Sequence, residues 1–539
     1  MKTAPGKEGK FIPGDVLLVL VLGLAIRIYT CQNTSVVNLD GIGYIYQAKG
    51  VYQGRWNVLG DCGVYFLSSY PFFIAGVYTL LHDWITAARL VSCLFGFAML
   101  IPLYVLIRSF FDEKTSLLTL LILALTPPFV EGSADLVRDP PFWFFLALGL
   151  LLFVKQMDED RPLYLILSSV SFLLAAWARM DAILIIILSA LYILLGRREQ
   201  RYARFFSFLL PIVLAGFFIV CGASLLGLDV GRSFRMHEIM TRMSMPLDRI
   251  KHIHAVLSHL LTQYPPQDVM NSFLEETRNG IWLVATGTLL NQIGEGFFYP
   301  FLLVTLTGLA GIGKEIKKDR RVFYLFLLTV SLLGLLYLQT LFLWRLTRRY
   351  VAMVVIPCSI CTGLGTRRIL AFFEHKFGLR ESAALALLVF LILGFGVPRN
   401  LMVREHDKLV FKEIGLFISG REGAGREVRV ATSYLSPQWV PFYANSLYEG
   451  LHCGKRHAYG PDVIRRGTRG LLLHLKRHGA RYFLWEQNYW PKDAFDPADT
   501  PQDVKLEELG RWYHQDTGLM VLYELREVTL LGGCPRILD

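Results

Sequence analysis

The chain has 539 residues, of which 53% are hydrophobic and only 18% are charged. Many separate apolar stretches are long enough to cross a hydrocarbon layer of about 30 Å, which excludes an ordinary soluble enzyme and predicts a polytopic membrane protein. A net charge of +11 would favour nucleic-acid binding in a soluble chain. Here the basic residues cluster in short loops between apolar stretches, which indicates membrane orientation and no nucleic-acid partner. The most basic of these loops, residues 314–321, is predicted to be cytoplasmic.

The first apolar stretch, residues 11–29, predicts a retained helix, because it follows three lysines and has no small-residue cleavage site. With the N-terminus inside, this helix delivers the polar segment Asn38–Tyr44 to the outer face. The outer loop of residues 31–84 contains apolar runs that are too short to span. We predict that these runs form helices lying in the membrane interface.

About eleven apolar segments are predicted to span the membrane, the last ending near residue 396. One of them, within residues 281–311, is predicted to be broken near Gly294–Gly296. A second outer loop, residues 229–280, is predicted to fold as helices. After the last span, strand-like runs at residues 428–432 and 480–485 lie on the two sides of an amphipathic helical segment at residues 467–478, as in a small α/β domain. We therefore predict a mainly α fold, with a membrane bundle over residues 1–397 and an extracytoplasmic α/β domain over residues 398–539.

Several arginines fall in short outer loops, against the rule that basic residues stay inside. Charged groups at membrane depth are costly unless they are paired or functional, so these positions are candidate site residues. The arginines are Arg138, Arg179, Arg345, Arg348 and Arg349.

Asp40 is the first candidate, as the acidic residue just beyond the first span. A carboxylate there could act as a general base that deprotonates an attacking hydroxyl or amine. Equally, it could cap a helix that begins near Gly41. The residues alone leave both interpretations open.

Arg138 and Asp139 precede two prolines. The carboxylate could assist Asp40 or orient the acceptor that carries the attacking group, and the arginine could hold a phosphate. Alternatively, the pair could form a helix N-terminus with the prolines in its first turn. Near Arg348, Arg349 and Tyr350, the alternatives are a phosphate site and interfacial snorkelling.

Arg179, Asp181 and Arg89 could be ion-paired to one another or to Asp139. Two cysteine pairs, Cys31–Cys62 and Cys453–Cys534, could form disulfides on the outer side. The chain lacks glycine-rich nucleotide loops, a Gly-x-Ser-x-Gly nucleophile elbow and a His-Glu-x-x-His motif, so neither a cofactor nor a metal is expected.

The order of these features resembles the GT-C superfamily of membrane glycosyltransferases, in particular the group of protein O-mannosyltransferases and bacterial aminoarabinose transferases. The resemblance covers roughly residues 10–370. It rests on the segments Asn38–Ala48, Gln53–Trp56, Ala87–Leu90, Asp139–Phe145, Ala175–Asp181 and Arg348–Pro357.

The resemblance implies a polyprenyl-phosphate-linked sugar donor, an inverting transfer at the outer face, and a lipid, glycan or protein acceptor. It implies Asp40 as base, Asp139 as the second-loop acid, and phosphate contacts at Arg348 and Arg349. We predict that Arg138, Tyr350 and Arg89 belong to the same donor site. It also implies a bacterial inner membrane, with the N-terminus cytoplasmic and the C-terminal domain periplasmic or extracellular.

Two positions differ from the group. Gly41 follows Asp40 where an acid is common, and residues 67–71 replace a Glu-Lys-Pro motif whose lysine lies near the lipid phosphate. The second difference argues against the aminoarabinose branch in particular and assigns phosphate binding to the arginines. A transporter or flippase of lipid-linked sugars is the alternative function, although we find no internal symmetry between halves. A non-catalytic scaffold is a third.

Overall fold

The apolar segments predicted as membrane spans all form helices in the computed structural model, which describes residues 14–55, 67–196, 200–225, 236–344, 346–432, 438–450, 467–489 and 504–527. The helices before residue 230 are α1 (Gly14–Gln32), α2 (Leu39–Tyr52), α3 (Tyr70–Leu81), α4 (Trp84–Ala98), α5 (Leu100–Arg108), α6 (Glu113–Leu125), α7 (Pro127–Ala134), α8 (Asp139–Glu159), α9 (Pro162–Ala178), α10 (Ala182–Leu195) and α11 (Arg201–Leu225).

The later helices are α12 (Met236–Leu261), α13 (Val269–Asn279), α14 (Ile281–Phe297), α15 (Tyr299–Leu309), α16 (Ile312–Lys318), α17 (Arg320–Leu343), α18 (Arg348–Phe377), α19 (Glu381–Asn400), α20 (Leu409–Glu422), α21 (Trp439–Ala444) and α22 (Gly467–Arg477). The strands are β1 (Val430–Ala431), β2 (Tyr482–Glu486), β3 (Val504–His514) and β4 (Gly518–Glu527). Helices α12 and α13 confirm the helical content predicted for residues 229–280, within the described residues.

Seven helical stretches in the described ranges are long and apolar enough to cross a membrane. Helices α6 and α7 form an eighth if they are one span, since together they are long and apolar enough to cross and they meet at a bend of 48°. The shorter apolar helices α9, α10 and α15 fall on the remaining predicted segments. The chain is therefore an integral membrane protein with several spans.

Helix α18 is the most enclosed of these spans. In the most apolar stretch of α18, 89% of the residues are buried, whereas in that of Arg201–Gly222 only 6% are buried. It packs closely on α15 because both helices have glycine at the crossing. A Cβ at Gly308 would lie 1.8 Å from the Cys361 carbonyl oxygen, and one at Gly365 would lie 1.8 Å from that of Val304. The position of α18, and of the residues at its ends, is thus set by packing along its length.

Contacts divide the chain into two compact units. The first contains residues 1–31, 68–70 and 89–402, and the second contains residues 32–67, 71–88 and 403–539. The second unit therefore joins the outer loop that carries Asp40 to the C-terminal segment. The boundary predicted between residues 397 and 398 stays a prediction.

Specific hydrogen bonds connect the two parts of this second unit. The indole N–H of Trp439 donates to the Val37 carbonyl at 2.7 Å, and the Val37 N–H donates to the Tyr443 hydroxyl at 2.8 Å. Thr34 forms a β-bridge with Arg404. These bonds hold the chain immediately before Asp40 against the C-terminal segment.

The C-terminal segment forms a four-stranded sheet of order β1-β2-β4-β3, in which only β1 and β2 are parallel. Leu471 and Leu475 of α22 pack with Phe483 and Val521 of the sheet. The predicted α/β character is confirmed. The predicted strand at residues 428–432 is reduced to Val430–Ala431, because β1 is an edge strand whose ladder pairs only those two residues with β2.

Candidate functional site

Arg179, in the turn between α9 and α10, is the centre of a buried charge network. Its guanidinium donates to Asp139, the first residue of α8, and lies 2.8 Å from an oxygen of Asp181. All three side chains are at most 4% exposed. Such burial is tolerable because each charge has a partner. The ion pairing predicted for Arg179 with Asp181 and Asp139 is confirmed.

This network extends to two further helices. The second oxygen of Asp181 accepts the Gln339 amide of α17 at 2.8 Å, and the Tyr350 ring of α18 lies 4.4 Å from the Arg179 guanidinium carbon. Burial by itself lowers the pKa of Arg179, but the Asp139 and Asp181 carboxylates outweigh burial and raise it above its usual value. The guanidinium therefore keeps its charge and fixes the relative positions of α8, α17 and α18.

Glu131 of α7 links two arginines from different helices. One carboxylate oxygen is 2.9 Å from Arg348 Nε, and the other is 3.2 Å from Arg399 Nη2 of α19. The Glu131 side chain is 10% exposed, whereas those of Arg348 and Arg399 are 38% and 32% exposed. Both guanidiniums are therefore reachable from outside while the carboxylate that holds them is largely covered.

The two networks meet at the N-terminus of α18, since Arg348 is its first residue and Tyr350 its third. A helix N-terminus carries partial positive charge, and the arginines there add full positive charges. Together they favour a bound anion. The Thr347 N-cap makes no side-chain capping bond, and Arg349 lies 5.5 Å from the Tyr350 ring. The arginines of the two networks are Arg179, Arg348 and Arg399, and the carboxylates are Glu131, Asp139 and Asp181. Arg138 directly precedes Asp139 in the chain, and Arg349 directly follows Arg348.

Sequence reasoning missed Arg399 and the role of Glu131. Arg399 follows the last predicted span on the predicted outer side, so it breaks the orientation rule in the same way as Arg348. That signal was available in the sequence. The pairing itself was not, because Glu131 and Arg399 are 268 positions apart.

Asp40 belongs to the second unit, as an exposed residue in the first turn of α2. Asn38 occupies the N-cap and α2 begins at Leu39, so the alternative in which Asp40 caps a helix beginning near Gly41 is wrong. An acid in the first turn still interacts favourably with the helix dipole. The exposed carboxylate is also accessible to a substrate hydroxyl.

The helix that carries Asp40 is anchored at its other end. Lys49 is buried, and its ammonium donates to the Tyr448 carbonyl at 3.0 Å. Burial lowers the pKa of Lys49 to about 8, partly offset by the charge of Glu449. Gln53 donates to the Glu449 carbonyl at 3.1 Å. These contacts fix α2 within its unit.

The other predicted site residues have mixed outcomes. Arg138 is the N-cap of α8, and the prolines lie in the first turn as predicted. Arg89 is half-buried in α4, and its assignment to the donor site stays a prediction, as do the roles of Arg138 and Asp139. Cys31 is a free, buried thiol. The other cysteines of the two possible disulfides lie outside the described residues: Cys62, Cys453 and Cys534. Arg345 lies outside them as well.

Comparison with known proteins gives one family and a set of similar folds. Residues 69–223 match the family of dolichyl-phosphate-mannose-protein mannosyltransferases. ArnT from Cupriavidus metallidurans, bound to undecaprenyl phosphate, is similar with a TM-score of 0.56 and 12% identity over 97% of this chain and 100% of that chain.

An oligosaccharyltransferase from Archaeoglobus fulgidus, in complex with Zn and sulfate, is similar with a TM-score of 0.52 and 11% identity over 93% of this chain and 72% of that chain. No protein of curated function matches the sequence significantly. At these identities the similarities establish a shared fold over nearly the whole chain.

Proposed function

We propose that this chain, which has the fold of the GT-C membrane glycosyltransferases, transfers a monosaccharide from a polyprenyl-phosphate carrier to an acceptor at the outer face of the membrane. The observation that carries the proposal is the concentration of arginines at the N-terminus of α18. Guanidinium forks and helix N-termini both match phosphate oxygens. The undecaprenyl phosphate bound by ArnT, a protein of similar fold, supports the same donor chemistry.

In the proposed reaction, a hydroxyl or amine of the acceptor attacks the anomeric carbon of the sugar. Asp40 accepts the proton of the attacking group, as a general base. The bond between the anomeric carbon and the phosphate oxygen breaks, and its electron pair stays on the lipid phosphate. Arg348 and Arg349 stabilise the added negative charge on that leaving group. Attack opposite the leaving phosphate inverts the configuration at the anomeric carbon.

Asp139 has a different role in this proposal. Because its carboxylate is held by Arg179, it positions that guanidinium and, through it, the Tyr350 ring beside the donor arginines. Arg138, Arg89 and Arg399 complete the proposed donor site, since Arg399 shares the Glu131 carboxylate with Arg348. The acceptor is a lipid, glycan or protein, and the enzyme works in a bacterial plasma membrane with its N-terminus in the cytoplasm.

The direct test uses the purified full chain in vesicles, with undecaprenyl-phosphate sugars labelled in the sugar and membrane extract as the acceptor source. We expect release of undecaprenyl phosphate together with covalent transfer of the label, and inverted configuration in the product. If the labelled lipid instead crosses the bilayer without any chemical change, the protein is a transporter and the proposal fails.

A further inference from the structure

A cleft of about 510 Å³ lies at the end of α17 remote from the candidate site. It is lined by the end of α8, the short helix α16 and the start of α17. Since α17 has 24 residues, it separates this cleft from the following N-terminus of α18 by about 36 Å along its axis. The volume lies in the usual range for small-ligand sites. Its lining is strongly basic.

The charges in the cleft do not balance. Both of its carboxylates are bound to one guanidinium, since Arg321 lies 2.7 Å from Asp158 and 2.6 Å from Asp319. The positive charges of Lys317 and Lys318 are left over, and both lysines are exposed.

Further contacts leave the excess positive charge in place. Lys318 has a carboxylate of Glu315 at 3.9 Å, but Glu315 is shared at the same distance with Arg367. Arg320, also in the lining, donates to the neutral Met157 carbonyl at 2.7 Å. The cleft therefore attracts an anion.

One wall of the cleft is apolar. Ile316 is half-buried and Phe323 is 42% exposed, and Phe323 belongs to a candidate membrane span. A free phosphate would use only the basic rim. A phosphate that carries acyl chains would use both, with its headgroup on the lysines and its first methylenes against Phe323.

We propose that this cleft is a binding site for an anionic phospholipid of the inner leaflet, separate from the donor site. The basic rim lies in the loop predicted from its charge to be cytoplasmic, where anionic headgroups are abundant. The occupant stabilises the joint between α8, α16 and α17. The inference does not depend on the proposed transferase activity.

The test is native mass spectrometry of the full chain in neutral detergent, titrated with phosphatidylglycerol or with phosphatidylcholine of the same acyl chains. We expect preferential retention of phosphatidylglycerol, reduced at least about tenfold in the variant Lys317→Gln/Lys318→Gln. The control Lys314→Gln/Lys376→Gln removes two exposed lysines outside the cleft lining and should bind as wild type.

A second variant separates a lipid from a free anion. Phe323→Ala should weaken the binding of phosphatidylglycerol and leave the binding of glycerol phosphate unchanged. Equal binding of both lipids by the wild type overturns the proposal. An equal loss of phosphatidylglycerol binding in Lys317→Gln/Lys318→Gln and in the control Lys314→Gln/Lys376→Gln also overturns it. So does displacement of phosphatidylglycerol by glycerol phosphate at equal concentration, which would indicate a site for free phosphate esters.

Discussion

Arg179 is the residue on which the charge balance of the candidate site depends. One buried guanidinium satisfies Asp139 and Asp181, and none of the three side chains is more than 4% exposed. A buried pair adds little net stability compared with apolar residues, but removal of one member leaves uncompensated charge. The network therefore fixes geometry more than it adds stability.

For Arg179→Met we expect a loss of about 3–5 kcal/mol of stability, because two buried carboxylates lose their counter-ion. Thermal unfolding of the purified protein, followed by differential scanning fluorimetry, measures this loss. Lys114→Met, which breaks the exposed pair with Glu381, is the control and should change the melting temperature little.

The triple variant Arg179→Met/Asp139→Asn/Asp181→Asn should recover most of the lost stability, since it removes the unpaired charges. A triple variant as unstable as Arg179→Met would show that packing of the arginine side chain, and not charge, is what matters.

Asp40 is the residue on which the proposed chemistry depends. Asp40→Asn should lower the transfer rate by about 10²- to 10⁴-fold, since a positioned general base contributes about that much. The measurement is sugar transfer from the labelled donor, with binding of undecaprenyl phosphate recorded in parallel and expected to be unchanged.

Asp15→Asn is the matched control, because Asp15 is also an exposed acid at the second position of a helix. It should transfer at the wild-type rate. Full activity of Asp40→Asn would remove Asp40 from the role of base.

At the scale of elements, the N-terminus of α18 is where α7, α8, α17 and α19 contribute charged or polar side chains. The Glu131 carboxylate is ion-paired with the guanidiniums of Arg348 and Arg399. A donor phosphate that binds these arginines must compete with that carboxylate. The two kinds of substitution should therefore act in opposite directions on donor binding.

Arg399→Gln should weaken binding of undecaprenyl phosphate about tenfold, as expected for loss of one partly exposed charge-assisted hydrogen bond. Glu131→Gln should strengthen it, because the competing charge is removed. Binding is measured by native mass spectrometry or by titration of the purified chain.

Arg368→Gln is the control. Arg368 lies in α18, near the end opposite Arg348, and donates to the Thr307 carbonyl. If Glu131→Gln and Arg399→Gln weaken binding equally, the ion pairs are structural and Arg399 is not a phosphate ligand.

At the scale of the whole molecule, the position of the outer loop in the second unit is held by a segment more than 350 residues later in the chain. Trp439 and Tyr443 hydrogen-bond the two sides of Val37, which lies just before the helix that carries Asp40. Loss of a partner for a buried backbone group costs about 1–3 kcal/mol. The C-terminal segment therefore supports the position of Asp40.

Trp439→Phe should lower sugar transfer while binding of undecaprenyl phosphate stays unchanged, because the arginine site belongs to the first unit. The phenyl ring can keep the stacking on Phe411, so the change isolates the N–H group. Parallel assays of transfer and binding measure the two effects.

Trp485→Phe is the control, since the indole N–H of Trp485 has no hydrogen-bond partner among the described residues. Equal effects of both substitutions, or loss of donor binding in Trp439→Phe, would contradict a specific role for the bond to Val37.

The amino-acid sequence alone predicted the helical membrane bundle, the break between α14 and α15, and the α/β character of the C-terminal segment. It could do so because apolar length and periodicity are local properties. Arginines on the predicted outer side also marked Arg348 and Arg349 as candidates. The pairing of Arg179 with Asp139 and Asp181 was among the alternatives that the sequence left open.

The pairing of distant charged side chains became evident only from the packing of the helices. Glu131 contacts Arg399 across 268 positions, and the loop before Asp40 is held by residues about 400 positions later. Such contacts depend on how the helices pack, which periodicity does not encode. The start of α2 at Leu39, which removes Asp40 from the cap, likewise required the folded backbone.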